Sequence, residues 1–321
     1  MVNLLVQTLW IIASIMIFAG GIYFSFKLRF LHLNFKKMWK AISQKPDKED
    51  SISAFQSLTM SLAGRIGVGS LSGIALAIYL GGPGVLFWIW MTSILCAIMA
   101  FAESVLAVVF RRRDTGNIYR GGPFYYIKEG MGNKKLAFIY AAIIIVSFIG
   151  GFLTIQVNTV SKSINDIADI NPVIIGLIIS IITGITIFGG VKKIAKVTEK
   201  LVPIVTAFYL IVCGYIIFSN IPMIRPILSD IIDGAFNFRA FGGGVISTLI
   251  IGMQKGIFSS EVGLGTGSIA AATADTETAV DNGLVQIFGI HIENIVFATI
   301  TTFVVCMSNY ASLIISDPNR N

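Results

Sequence analysis

Eight stretches of this 321-residue chain are apolar over lengths that suit a bilayer crossing, and no other feature limits its fold so tightly. They run roughly over residues 4–26, 52–80, 84–110, 136–160, 172–190, 201–219, 243–272 and 283–307. A membrane helix needs about 20 mostly apolar residues. Backbone N–H and C=O groups have no partner in hydrocarbon, so such runs read as helices rather than as irregular chain. Composition agrees, with 55% hydrophobic and only 13% charged residues. The mean hydropathy of +0.81 leaves too little polar surface for a soluble fold of this length. The expectation is an all-α polytopic membrane protein with eight transmembrane helices. The first stretch lacks a basic leader and precedes a basic loop, so it reads as a retained helix rather than a cleaved signal peptide.

The basic residues set the orientation. Segment 27–50 carries seven, segment 111–135 another seven, and segment 191–200 carries Lys192, Lys193, Lys196 and Lys200. With eight spans threaded alternately, all eighteen fall on one side, against Lys162, Arg225, Arg239 and Arg320 on the other. That places the N-terminus outside and the basic loops in the cytoplasm of a plasma membrane protein. The net charge of +7 is accounted for by these anchors, so nucleic acid is not an expected partner and membrane lipid is. Cys96, Cys213 and Cys306 lie in separate apolar stretches, and His32 and His291 are the only histidines, so no disulfide framework or zinc site is spelled out. No filter repeat or nucleophile–base pair suggests a channel or an intramembrane enzyme.

Two spans depart from plain apolar composition. The second contains Gly64-Arg65-Ile66-Gly67-Val68-Gly69-Ser70-Leu71-Ser72-Gly73, and the seventh contains the run from Gly256 to Ser268. Each glycine weakens a helix interior by about 1 kcal/mol relative to alanine. Close helix packing would explain one small-residue pattern. Here each cluster also holds hydroxyls and a charge, Arg65 or Glu261, at membrane depth, where a charge costs about 3 kcal/mol on insertion scales. The clusters lie an odd number of spans apart, so their helices cross in opposite directions. Paired broken helices of this kind point to a transporter binding site. An unwound turn offers N–H groups and a positive half-helix end to a carboxylate, and freed carbonyls to a cation.

These segments resemble the alanine/glycine:cation symporter family, the sodium:alanine symporters, over about Phe55 to Cys306. The resemblance rests on Gly67 to Gly73, on Gly81-Gly82-Pro83-Gly84-Val85-Leu86-Phe87-Trp88-Ile89-Trp90, and on Gly121-Gly122-Pro123-Phe124-Tyr125-Tyr126-Ile127. It also rests on Lys255-Gly256-Ile257-Phe258-Ser259-Ser260-Glu261-Val262-Gly263-Leu264-Gly265. The resemblance implies a leucine-transporter-like fold of two inverted five-helix repeats. On that reading, residues 1–50 form an N-terminal helix and basic loop, and 51–219 the first repeat. Residues 243–307 supply two helices of an incomplete second repeat, and 308–321 a short polar tail. It implies symport, not enzymatic chemistry: a small neutral amino acid, alanine or glycine, with sodium as coupling ion and no further cofactor. A truncated, non-transporting fragment of such a symporter is the alternative.

By the same resemblance, backbone amides of Gly67, Val68 and Gly69 hold the substrate carboxylate, with Ser70 beside them. Gln156 and Asn158 face the substrate, and Phe258, Ser259 and Gly263 line the site from the seventh span. The carbonyls of Ala63 and Ile66 form the near half of a sodium site. Ser70 and Ser260 replace asparagines of the family pattern, and Arg65 replaces a small polar residue. Arg65 is either a substrate partner or an ion-pair partner of Glu261 or Glu103, and the ion pair is the reading adopted. Glu103 reads as a packing and hydrogen-bond partner rather than a proton carrier, Glu293 as a structural group, and Arg111-Arg112-Arg113 as a topology anchor. Gln156 and Asn158, two residues apart on a helix, point to different faces, so one suffices for substrate while the other bridges helices. Trp88 and Trp90 read as an interfacial belt.

Overall fold

A computed structural model describes residues 2–46, 51–114, 118–236 and 244–316. Arg239, Lys48, Arg320 and the last residues of the expected tail, 317–321, lie outside this set. The described chain is helical apart from a two-stranded hairpin, β1 (Arg112–Arg113) with β2 (Tyr119–Arg120).

The first predicted span is α1 (Val2–Lys27), followed by a short helix α2 (Phe35–Ile42) capped by the Asn34 side chain. The second span is two helices, α3 (Ala54–Arg65) and α4 (Val68–Gly81), bent by 44° at a two-residue break. Ser53 and Gln56 form a reciprocal capping box that starts α3. The third span is α5 (Val85–Val109). Beyond the hairpin come α6 (Pro123–Glu129), α7 (Lys134–Ser147), a π-helical turn (Phe148–Phe152) and α8 (Leu153–Ala168). Then follow α9 (Pro172–Ile187), α10 (Gly190–Ser219) and α11 (Ile224–Phe236). The seventh predicted span is again two pieces, α12 (Gly244–Ser260) and α13 (Thr266–Thr273). The eighth is α14 (Ala279–Ile290), a π-helical stretch (His291–Phe297) and α15 (Ala298–Ser316).

Among the described residues, five helices have the length and composition to cross a membrane, or six when α3 and α4 count as one span. The other two expected spans appear as α9, of 16 residues, and as the interrupted α12–α13 segment. Three local expectations need correction. The lysines of 191–200 sit on the opening turns of α10 rather than in a loop. At 30 residues that helix is about 45 Å long, so its basic end extends past a hydrocarbon layer of about 30 Å. The connector after 219 carries its own helix, α11, whose Gly234 backbone lies against Gly84. Helix α15 continues to Ser316, beyond the point where a polar tail was expected.

The centre of the molecule is α5, against which α1, α11, α12, α13 and α14 pack. Small residues permit the approach. A Cβ at Gly252 would lie 2.5 Å from the Trp88 Cβ, and one at Gly256 2.9 Å from the Thr92 Cβ. Ala97, Ala100 and Phe101 of α5 join Leu284, Val285 and Ile287 of α14 in one buried cluster. By contrast α7 to α10 expose Ile, Leu and Phe along most of their length, Phe188 at 94%. Surface of that composition suits lipid.

Candidate functional site: two facing helix breaks

The first break follows from a failure of the helix ladder at glycine. The last backbone bond into α3 is from the Ile66 N–H to the Leu62 carbonyl, 2.7 Å. The Gly67 N–H turns instead toward the Ser70 hydroxyl at 3.4 Å, so the next donor no longer serves the Ala63 carbonyl. Ile66 is extended, and α4 begins at Val68. The Val68 N–H points to Gln156 Oε1 at 3.5 Å. Ser70 holds the break from inside: its hydroxyl lies 3.0 Å from the Arg65 carbonyl and 2.6 Å from Glu293 Oε1.

The second break spans Glu261 to Gly265. Glu261, Gly263 and Gly265 all have positive φ, 55°, 85° and 81°. Glycine takes that region freely, whereas a glutamate there is uncommon and held by its surroundings. Glu261 is fixed through Thr266, whose hydroxyl donates to Glu261 Oε2 at 2.5 Å, and through Arg65 Nε at 3.9 Å. The Gly263 N–H donates to Glu103 Oε1 at 2.6 Å, and the Leu264 carbonyl accepts from the Tyr140 hydroxyl at 2.7 Å.

The two breaks face each other and are joined by charged side chains. Lys255 of α12 reaches across to donate to the Gly69 carbonyl at 2.7 Å. Gly69 and Gly73 leave its path open, since Cβ atoms there would sit 3.7 and 3.1 Å from Nζ. Arg65 runs between Gly267 and Gly289, where a Cβ would fall on its guanidinium. Its Nη2 is 3.3 Å from Gln286 Oε1, which also accepts from the Ser61 hydroxyl at 2.6 Å. The ion-pair reading of Arg65 matches this geometry. Arg111 does more than anchor: its Nη1 donates to the carbonyls of Ala274 at 2.7 Å and Ala272 at 3.3 Å, at the C-terminal end of α13. Nearby, the Arg112 hydrogen bond holds the Glu129 carboxyl below the usual carboxylate range.

The structure therefore brings together Gly67, Val68, Gly69, Ser70, Gln156 and Phe258 around the first break. The Phe258 ring stacks on Phe152 at 5.5 Å and 8°. Ser259 is buried, while Gly263 has open space where a Cβ would go. Ala63 and Ile66 flank the break with backbone away from the ladder's next donor. Asn158 is not part of this group; it lines a cavity between α8 and α9 with Ser161, Lys162 and Pro172. The sequence reading missed Lys255, Gln286 and Asn294 as members. A lysine and two amides inside apolar runs were the available signal. Asn294 donates to the Gly256 carbonyl at 3.3 Å from within the π-helical stretch, and π-bulges are frequent at functional sites.

The family model for the sodium:alanine symporter family matches residues 1–317. The chain is 38% identical over 299 residues to the probable sodium/glutamine symporter GlnT of Bacillus subtilis, covering 92% of this chain and 62% of that protein. It is 31% identical to the amino-acid carrier protein AlsT of the same organism, covering 96% and 66%. It is 34% identical to the sodium/alanine symporter AgcS of Methanococcus maripaludis, covering 92% and 67%. The chain thus spans roughly two thirds of the length of these relatives. Two opposed helix breaks bridged by buried charges, together with a match along nearly the whole chain, establish that it belongs to the sodium:alanine symporter family.

Proposed function

We propose that this chain carries a small neutral amino acid, alanine or glycine, together with sodium across a plasma membrane. It works by alternating access within an inverted-repeat arrangement of eight spans. The observation that supports this most directly is the pair of opposed breaks, with Gly67–Gly69 of one beside Phe258 of the other. Backbone amides at the start of α4 and the Gln156 amide suit a carboxylate. The Ala63 and Ile66 carbonyls, turned out of the ladder, suit a hard cation. Coupling is physical on this reading, because the ion orders the same turn that presents the amides. The relatives' names include both alanine and glutamine, so substrate size is the finer question.

Uptake of labelled alanine by proteoliposomes holding the full chain tests the proposal. Uptake should collapse when sodium is replaced by choline, and should be competed by glycine more strongly than by glutamine. Uptake indifferent to sodium would reject coupling. Absence of any uptake would reject the transport reading itself.

A further inference from the structure

The side chains of α2 divide around the helix into three sectors. With 3.6 residues per turn, Met38, Ala41 and Ile42 share one side, and all three are buried where α14 packs. Phe35 and Trp39, one turn apart, form the next sector and stay 54% and 64% exposed. Phe30 and Leu33 of the preceding turn are exposed as well. Lys36, Lys37 and Lys40 fill the remaining arc, and all three are exposed. No aspartate or glutamate occurs from residue 27 to residue 46. Among the described residues none of these lysines is in an ion pair.

The covalent chain fixes where this helix lies. At 26 residues α1 is about 39 Å long, enough to cross a hydrocarbon layer of about 30 Å and emerge. The chain then reverses at once. Arg29 and Phe30 both have left-handed φ, 50° and 54°, and the Phe30 N–H donates to the Ser25 carbonyl at 2.8 Å. Helix α2 therefore starts at the level where α1 leaves the bilayer. It is tied down there: His291 Nε2 lies 2.8 Å from the His32 carbonyl, and Trp39 meets Phe288 edge-on at 6.3 Å.

We infer that α2 is a docking site for anionic phospholipid, with Phe35 and Trp39 seated among the upper acyl carbons and the lysines on the headgroup phosphates. Lys36 and Lys40 lie one turn apart and border, with Trp39, a groove of about 840 Å³ that a headgroup can enter. Two features select a lipid over an acidic protein segment or a nucleic acid. The aromatic sector adjoins the lysines and faces out at membrane level, which is the division of a helix lying in an interface. The short tether to α1 also keeps that face against headgroups. A negative headgroup is favoured over a zwitterionic one, because lysines without counter-charges attract an anionic surface, each adding to the last. On the proposed threading this is the cytoplasmic leaflet, where anionic lipid is concentrated. The site is separate from the two breaks, and it stands whether or not the chain transports alanine.

The test uses the full chain in nanodiscs of phosphatidylcholine mixed with phosphatidylglycerol. Lipid retained through gentle delipidation should be enriched in phosphatidylglycerol by about tenfold. The triple variant Lys36→Gln, Lys37→Gln, Lys40→Gln should lose that enrichment, and the corresponding triple arginine variant should keep it. Equal enrichment in the glutamine variant overturns the inference. A second readout serves if that variant fails to fold. The difference in fluorescence between wild type and Trp39→Phe isolates the Trp39 signal. Phosphatidylglycerol brominated high on its acyl chains should quench this signal about twofold more than the matching phosphatidylcholine. Quenching by aqueous acrylamide alone would put Trp39 in water, and quenching by neither would put it against protein; either result overturns the inference. Glycerol phosphate, the headgroup without chains, should leave the lipid quenching unchanged. Its displacing the lipid would mean a plain phosphate site with no part for the membrane, and would overturn the inference too.

Discussion

Arg65 shows how strongly one side chain can be determined by its neighbours. It ends α3 and is 5% exposed, with its guanidinium between Gly267 and Gly289 and its Nε facing Glu261. Removing it strands a carboxylate in the bilayer core. Arg65→Leu should therefore destabilise the protein by about 3–5 kcal/mol, seen as a lowered midpoint of thermal unfolding in detergent. The double variant Arg65→Leu, Glu261→Leu should recover part of that loss, because neither partner is then left alone. If the single variant melts like the wild type, the ion pair is not what holds the two breaks. Gly69 makes the opposite argument. A first carbon there meets only Lys255 Nζ at 3.7 Å and Phe258 Cε1 at 3.9 Å, ordinary contacts. A leucine's further branches enter the space beside the amides, so Gly69→Leu should abolish alanine uptake while the folded protein persists. Unchanged uptake would put the substrate elsewhere.

At the scale of elements, the two breaks differ in what enforces them. The first is a ladder fault that Ser70 and Gln156 stabilise. The second depends on backbone conformation. A Cβ at Gly265 would collide with Pro123 and Tyr140 and sit at positive φ, whereas Gly263 has positive φ with open space around it. Gly265→Ala should thus be the more damaging by a wide margin, with Gly263→Ala costing about 1 kcal/mol from strain alone. Comparing thermal midpoints and yield of the two variants checks this, and equal effects would mean that contact with Pro123 and Tyr140 does not constrain the break. Both breaks were legible in the sequence because glycine, hydroxyl and charge coincide in otherwise apolar runs. What fills the space between them was not. Lys255 belongs to a recognisable motif, yet nothing local says that its ammonium spans to Gly69. Asn158 was assigned with Gln156 because both are amides, and helical geometry then sends it toward α9. Contacts between residues about 190 positions apart, such as Lys255 with Gly69, come from packing and leave no periodic trace.

At the scale of the whole molecule, α9 decides how many times the chain crosses the bilayer. Its 16 residues rise about 24 Å, short of a hydrocarbon layer of about 30 Å. Flanking turns can make up the difference, since a short helix thins the bilayer or lets end residues snorkel at modest cost. The charge distribution argues that it does cross. Lys162 precedes it on α8, and Lys192 and Lys193 follow it on α10, in the segment that the basic bias assigns to the cytoplasm. The two sides of α9 should then face opposite compartments. Cysteines placed at Lys162 and at Lys193 in the full chain test this directly, because the native Cys96, Cys213 and Cys306 are buried and should add little background. A membrane-impermeant maleimide applied to intact cells should label Lys162→Cys at once and Lys193→Cys only after permeabilisation. Lys128→Cys, on α6, should behave like Lys193→Cys. Labelling of positions 162 and 193 from the same side would make α9 a surface or re-entrant helix. It would also reverse the direction of every later span, so that α12 and α4 would no longer cross in opposite senses and the inverted-repeat reading would fail.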